Sequence, residues 1–392
     1  MRVVVPCGQK KTYTALCVEV TDKKPNIGVK NIKCIYSVLD DMPMLLPQQL
    51  KLWQWMADYY MCPLGDIYKA ALPAGLKAED GYRPKTETYV GLTEKFHDEM
   101  ALNIALDMVS RYEKQQKALA GYLELSHWAE ISGTAIPDDI KEITQTELCN
   151  VTHCTTPTVK SLVKRGILEI YQKEVGRLNT DGEFTPQNAK LLNEAQQEAY
   201  NQVLMQFMKK NVVLLHGVTS SGKTEIYIHL ILKALQDHKQ VLFLLPEIAL
   251  TVQIMERLQR VFGSRLGIYH SKYSDAERVE IWKKQVSACP YDIIIGARSA
   301  ALLPFKNLGL VIIDEEHETS YKQQDPAPRY HARSAAIMLA SMYGAKTLLG
   351  SATPCMETYT NAKNSKFGYV RLPPVLSQAN LPTLFAISPI LA

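Results

Sequence analysis

Residues 212–227, VVLLHGVTSSGKTEIY, run an apolar strand, a glycine-bounded loop and a helical pattern in direct succession. Gly217, four further residues, then Gly222, Lys223 and Thr224 match G-x-x-x-x-G-K-[ST], a loop whose backbone N–H groups wrap a triphosphate. The chemistry dictates the residue types. Glycine lets the backbone turn and approach an anion, and the helix that follows points its positive end at it. Lys223 reaches the outer phosphates, and the Thr224 hydroxyl is placed to ligate Mg²⁺. Thr219, Ser220 and Ser221 complete the loop, and Glu225 opens the helix. The stretch therefore predicts an ATP- and Mg²⁺-binding P-loop in an α/β fold.

A chain of 392 residues is too long for one ordinary core and predicts two or three domains. The 46% apolar content supports packed globular units, and a net charge of +4 permits nucleic acid without requiring it. The eight cysteines are scattered with no CxxC, which argues against a metal or disulfide framework and for reduced thiols. MRVVVPCGQKK lacks a signal-peptide apolar region, and no run of about 18 apolar residues occurs, so a cytoplasmic protein without a membrane segment is expected.

Outward from the loop, the front of the chain reads first as short β-rich runs, VVVP, TYTALCVEV and IKCIYSVL, separated by basic turns. A small antiparallel sheet is expected. Leu50, Trp53, Ala57 and Tyr60 then recur at helical spacing, as core positions or as a base-stacking platform. Residues 144–175, TQTELCNVTHCTTPTVKSLVKRGILEIYQKEV, predict a helix from Gln145, a turn near residues 152–154, a second helix capped by Thr155 or Thr156, and a strand. This is a winged-helix pattern. Lys160, Lys164 and Arg165 on its second helix either meet phosphates or form the solvated face of a protein-docking module. Expected boundaries are 1–105 for a β-rich N-terminal domain, 106–178 for the winged helix, 179–190 for a linker, 191–371 for the P-loop lobe and 372–392 for an apolar tail.

After the P-loop, apolar runs at 241–246, 291–297, 308–315 and 346–352 alternate with helical stretches, the pattern of a parallel sheet covered on both faces. LVIIDEEH places carboxylates and a histidine at a strand end, where such sheets bind ligands. Asp314 is the candidate Mg²⁺ ligand and Glu315 the candidate base for the attacking water, since metal ligation lowers a carboxylate's basicity. His317 is placed to sense the nucleotide. In GSATP, the Ser351 and Thr353 hydroxyls can bridge the acidic motif to nucleic acid. P-loop, DE-x-H and SAT in this order resemble the first motor lobe of superfamily 2 helicases, in which an upstream glutamine, here Gln196, reads adenine.

The chain further resembles the primosomal replication-restart helicases, the PriA family. The residues that carry this are GVTSSGKTEIY, LLPEIALT (244–251), YHSKYSDAERVEIW (269–282), IIIGARSAALLPF (293–305), DEEHETSYKQQ (314–324), RYHAR (329–333), LGSATPCMETY (349–359) and, near the front, DYYMCPLGDIYKAALP (58–73). The resemblance implies a multidomain chain: a β-rich domain that recognises a 3′ DNA end, a winged helix, and a RecA-like helicase lobe. It implies an ATP-dependent DNA helicase of 3′-to-5′ polarity that binds stalled forks and single strands, with primosome proteins and single-stranded-DNA-binding protein as partners. Thr251, Arg298, Ser299, Ser351 and Thr353 match positions near the single strand. Tyr321, Tyr330 and Arg333 match stacking or phosphate contacts in a loop that couples DNA to hydrolysis. The pattern departs at Pro326-Ala327-Pro328, where relatives carry an aromatic residue. The family's second lobe and its zinc modules have no counterpart in the 392 residues, whose last 21 positions hold four prolines and no charge. A truncated product is expected on that ground, with two alternatives: a non-translocating fork- and ATP-binding fragment, or another superfamily 2 translocase.

Overall fold

The computed structural model describes residues 1–7, 11–23, 32–77, 82, 84–97, 99–128, 140–174, 182–218, 221–247, 252–270 and 273–373. The chain divides into two units. One comprises residues up to Tyr82 and from Leu178 onward, and the other is Arg83–Arg177.

The first unit begins with β1 (Arg2–Cys7), β2 (Lys11–Leu16) and β3 (Ser37–Val38), an antiparallel sheet in the order β2-β1-β3, as the alternating sequence predicts. Three helices follow: α1 (Pro47–Tyr59), α2 (Leu64–Ala71) and α3 (Ala74–Lys77). On α1, Leu52, Trp53 and Met56 lie at helical spacing and are fully buried, so this stripe is core. It packs into the same hydrophobic cluster as residues of the P-loop lobe. Polar bonds lock the two together: Gln49 Nε2 donates to the Leu302 carbonyl at 2.8 Å, and Trp282 Nε1 donates to the Met44 carbonyl at 2.9 Å. Both donors are buried, so losing either would leave an unpaired carbonyl.

The second unit contains β4 (Thr86–Leu92), α4 (Glu99–Val109), α5 (Glu113–Leu125), β5 (Ile143–Thr144), α6 (Gln145–Thr152), α7 (Thr156–Lys164) and β6 (Leu168–Glu174). Its sheet runs β5-β4-β6, antiparallel throughout. Local chemistry explains the helix-turn-helix. Thr144 caps α6 by accepting from the Glu147 N–H, His153 turns the chain with φ of 52°, and Pro157 sits in the first turn of α7. Gly166, with φ of 71°, then releases the chain into β6. The unit starts at Arg83 rather than 106, because β4 pairs with β6 along its whole length. The expected boundary falls inside α4, where a helical pattern continues without a break.

The lobe proper follows: α8 (Glu194–Lys209), β7 (Val212–Gly217), α9 (Lys223–Gln236), β8 (Gln240–Leu244), α10 (Val252–Phe262), β9 (Leu266–Tyr269), α11 (Asp275–Val286), β10 (Ile293–Gly296), β11 (Leu308–Ile313), α12 (Ala332–Tyr343), β12 (Lys346–Ser351), α13 (Met356–Lys363) and β13 (Gly368–Leu372). The seven strands are all parallel, in the order β13-β7-β12-β11-β8-β10-β9. QVLFL and LVII are buried at every position, which is why they read as unbroken apolar runs rather than alternating ones. The central strands β7, β12, β11 and β8 carry the P-loop, the SAT segment and the acidic motif to the carboxyl edge of the sheet, where open α/β sheets bind ligands. Among the described residues, no helix is long and apolar enough to cross a membrane.

Candidate nucleotide site

The end of β7 and the start of α9 fix the loop. Gly222 is the N-cap of α9 and holds φ of 84°, a left-handed conformation that a Cβ would strain and in which it would also strike the Gln196 side chain. At Gly217 a Cβ would lie 2.9 Å from Ser221 Oγ, so both motif glycines are there for close approach. Lys223 is buried, and its ammonium donates to the Gly217 carbonyl at 2.9 Å and to Glu315 Oε1 at 3.1 Å. The lysine thus ties the loop to the acidic end of β11.

A cavity of about 540 Å³ opens there, lined by Gln196, Ser221, Lys223, Thr224, Glu225, Asp314 and Glu315, together with Arg257 from α10. Asp314 accepts from the Tyr227 hydroxyl at 2.8 Å, and its own carbonyl accepts from the Tyr321 hydroxyl at 2.7 Å. Burial raises the Asp314 carboxyl above the usual carboxylate range, with the Tyr227 bond and the Lys223 charge opposing. A divalent cation beside it would restore the ionised form. Glu315 sits at φ of 42°, an uncommon conformation for a residue with a side chain, which turns the chain sharply after Asp314.

Two buried polar atoms of residues that line this cavity have no partner among the described residues, Ser221 Oγ and Glu225 Oε2. Together with the buried lysine and a helix N-terminus, they show a donor and acceptor set that fits a phosphorylated ligand with its cation. Lys223 and Ser221 would hold phosphate, and Thr224 and Asp314 the cation. Among the described residues, no group of three or more His, Cys, Asp or Glu could hold a metal by itself.

His317 links the pocket to SAT. Its Nδ1 is 2.8 Å from Ser351 Oγ and 3.6 Å from Glu315 Oε2, while its Nε2 is 3.3 Å from Thr353 Oγ1. Ser351 is fully buried, so it acts inside the protein and is not placed to touch a strand. Thr353 is exposed.

The DNA-contact candidates divide. Tyr321 and Tyr330 are each 1% exposed and cannot stack on a base: one braces Asp314, and the other packs in the core with its hydroxyl on the Arg298 carbonyl. An aromatic residue in a polar loop reads the same whichever way it points. Arg333 is also committed, because its guanidinium meets the buried carboxylate of Glu316, which additionally accepts from Thr358 Oγ1 at 3.0 Å and the Cys355 N–H at 2.8 Å. Arg298 and Ser299 are half-buried, and Arg298 donates to the Lys322 carbonyl at 3.1 Å. Thr219, Ser220 and Thr251 lie outside the described residues. In the winged-helix unit, Lys160 and Lys164 are exposed, whereas the Arg165 guanidinium rests 4.4 Å from the centre of the Tyr112 ring.

Sequence reasoning passed over Glu316, Tyr227, Arg257 and Gln323. Tyr227 could have been found, since it lies four residues after Lys223 on the same helix face. Gln323 organises the departure from the family pattern, donating to the carbonyls of Pro326 at 2.8 Å and Pro328 at 2.9 Å. No local signal marks Arg257, whose partner Glu225 is distant in sequence.

Comparison with known proteins finds matches to three consecutive stretches of the chain. Residues 1–73 match a 3′ DNA-binding domain, residues 87–175 the winged helix domain of PriA helicase from Bacteroidota, and residues 193–362 the DEAD/DEAH box helicase family. Replication restart protein PriA of Bacillus subtilis is 32% identical over 95% of this chain and 51% of its own length. That of Haemophilus influenzae is 33% identical over 95% and 48%, and that of Chlamydia pneumoniae 36% identical over 85% and 43%. The chain thus spans about half the length of the curated relatives it matches. The solved DUF1998 helicase MrfA bound to DNA is 19% identical over 51% of the chain and 30% of its own, with a TM-score of 0.34. With three consecutive domain matches and relatives aligned over nearly the whole chain, the protein matches the PriA replication-restart family over the span it covers.

Proposed function

We propose that residues 191–371 form the nucleotide-binding face of an ATP-driven DNA motor that acts at stalled replication forks, with 3′-to-5′ polarity, in the cytoplasm. The observation that carries this is the Lys223–Glu315 contact, which joins P-loop and acidic motif across one cavity that also holds Thr224 and Asp314. ATP with Mg²⁺ supplies the phosphoryl group to be transferred. The chain's own residues then divide the work. Ser221 and Lys223 bind phosphate oxygens, and Thr224 and Asp314 hold the cation's shell. Glu315 takes the proton of the attacking water, and its contact with Lys223 holds the carboxylate at the cavity.

His317 touches both Glu315 and the SAT hydroxyls, so a shift of Thr353 on DNA would be felt by the base. The residues before Tyr82 bind a 3′ DNA end in this reading, and Lys160 and Lys164 contact phosphates. Thr251, Arg298 and Ser299 remain candidates for the single strand. Primosome proteins and single-stranded-DNA-binding protein are the proposed partners.

The test is equilibrium binding of Mg·ATP and of forked DNA to the wild-type chain and to Lys223→Ala. The variant should lose nucleotide affinity by about 10- to 100-fold, the value of a charge-assisted bond, and keep fork affinity. Equal loss of both would contradict the modular assignment, and unchanged nucleotide binding would contradict the site.

A further inference from the structure

The cavity is asymmetric in what it offers a nucleotide. Gly222, Lys223 and Thr224 present donors, suited to phosphate. Gln196 and Glu225, which line the same cavity, present one donor and one acceptor. The Gln196 carbonyl oxygen is already engaged, accepting from the Asn193 N–H at 3.0 Å in a capping box that is reciprocated by Asn193 Oδ1 at 2.9 Å. Its amide nitrogen has only a marginal contact, 3.5 Å to the Gly222 carbonyl, and is free to donate elsewhere.

Glu225 is the complement. It is 7% exposed, one oxygen pairs with Arg257, and the other, Oε2, is buried without a partner among the described residues. A buried carboxylate oxygen with no donor is costly unless a ligand supplies one. The phosphates of a nucleotide carry only acceptors, so within the nucleotide itself a donor comes from the nucleoside. Adenine presents a ring acceptor, N7, beside an exocyclic amine donor on one edge, whereas guanine presents two acceptors there, N7 and O6.

Resting on the nucleotide reading above, we infer that Glu225 selects the base. Its free oxygen accepts from the adenine amine while the Gln196 amide donates to N7, and guanine is refused because O6 would face a carboxylate. Arg257 fixes the rotamer of Glu225 and neutralises a charge that would otherwise stand next to the phosphates.

The experiment is calorimetric titration of the wild-type chain, Glu225→Ala and the isosteric Glu225→Gln with Mg²⁺ and four diphosphates: ADP, GDP, purine riboside 5′-diphosphate, which lacks the amine, and 2′,3′-dideoxy-ADP. Wild type should prefer ADP over GDP by about 10- to 100-fold and over the amine-less analogue by about tenfold. In Glu225→Ala the ADP to amine-less ratio should fall to about one. In Glu225→Gln the amide can turn to donate to O6, and GDP should tighten about tenfold. Each ratio is taken within one variant, so partial misfolding cancels. An amine preference that survives in Glu225→Ala overturns the assignment while leaving the site standing. So does a collapse confined to the ADP to dideoxy-ADP ratio, which would move Glu225 to the ribose. If wild type binds none of the four, both the site and the inference fall.

Discussion

The end of β11 and the segment that follows it, residues 318–333, are neighbours in sequence and opposites in how they can be read. Asp314 and Glu315 line the cavity their motif implies. Tyr321, Tyr330 and Arg333, assigned to DNA by resemblance, are turned inward onto Asp314, the core and Glu316. The difference is one of constraint. A carboxylate at the carboxyl edge of a buried strand has a single place to point. A tyrosine in a loop has two, and the folded state takes the one that buries its ring.

The largest effects would come from breaking the inward half. Tyr330→Ala should destabilise the chain by about 3–5 kcal/mol, the cost of emptying a large core aromatic, read as a fall in the unfolding midpoint. A DNA-stacking residue on the surface would instead lower fork affinity at constant stability. Arg333→Ala leaves Glu316, 0% exposed, without its cation, and should cost about 3 kcal/mol. Replacing Glu316 with glutamine in the same chain should recover part of the loss, and the absence of any recovery would show that Arg333 acts independently of it.

His331 sharpens the comparison at smaller scale. Burial, with the charges of Arg333 and Lys322, lowers its pKa to about 4 from an ordinary 6.5, and the Glu316 and Glu357 carboxylates oppose this only in part. The neutral ring accepts the Arg333 N–H at the start of α12. Between pH 6.5 and 4 the unfolded chain binds the proton that the folded chain refuses, so stability present above pH 6.5 is lost as pH falls through that window. Discounted for partial exposure, the loss is about 1 kcal/mol, and His331→Asn should flatten that part of the stability-against-pH curve.

The smallest effects belong to the winged-helix unit. Lys160→Ala and Lys164→Ala should each reduce the salt dependence of fork binding by about one in the slope of log K against log[salt], with no change in melting. Unchanged slopes would favour the protein-docking face.

Much of this was legible beforehand, and for physical reasons. The P-loop and the winged helix announce themselves because glycine, proline and capping hydroxyls act locally, at fixed spacing from the helices they start and stop. The central strands were visible as unbroken apolar runs. Edge strands β9 and β13 were not, because four or five residues with a glycine among them look like any loop. The packing of α1 against the lobe depends on contacts such as Gln49 to Leu302, more than two hundred residues apart. Long-range polar partners escaped for the same reason: nothing near Glu225 names Arg257, and nothing near Glu316 names Thr358.

On this reading nucleotide binds in the cavity between P-loop and acidic motif. Amide hydrogen exchange with and without saturating Mg·ADP tests it most directly. Exchange should slow at residues 222–225 and 314–316, and remain unchanged in the winged-helix residues 143–174. Saturating nucleotide that leaves 222–225 and 314–316 unprotected, or protects another region instead, would contradict it.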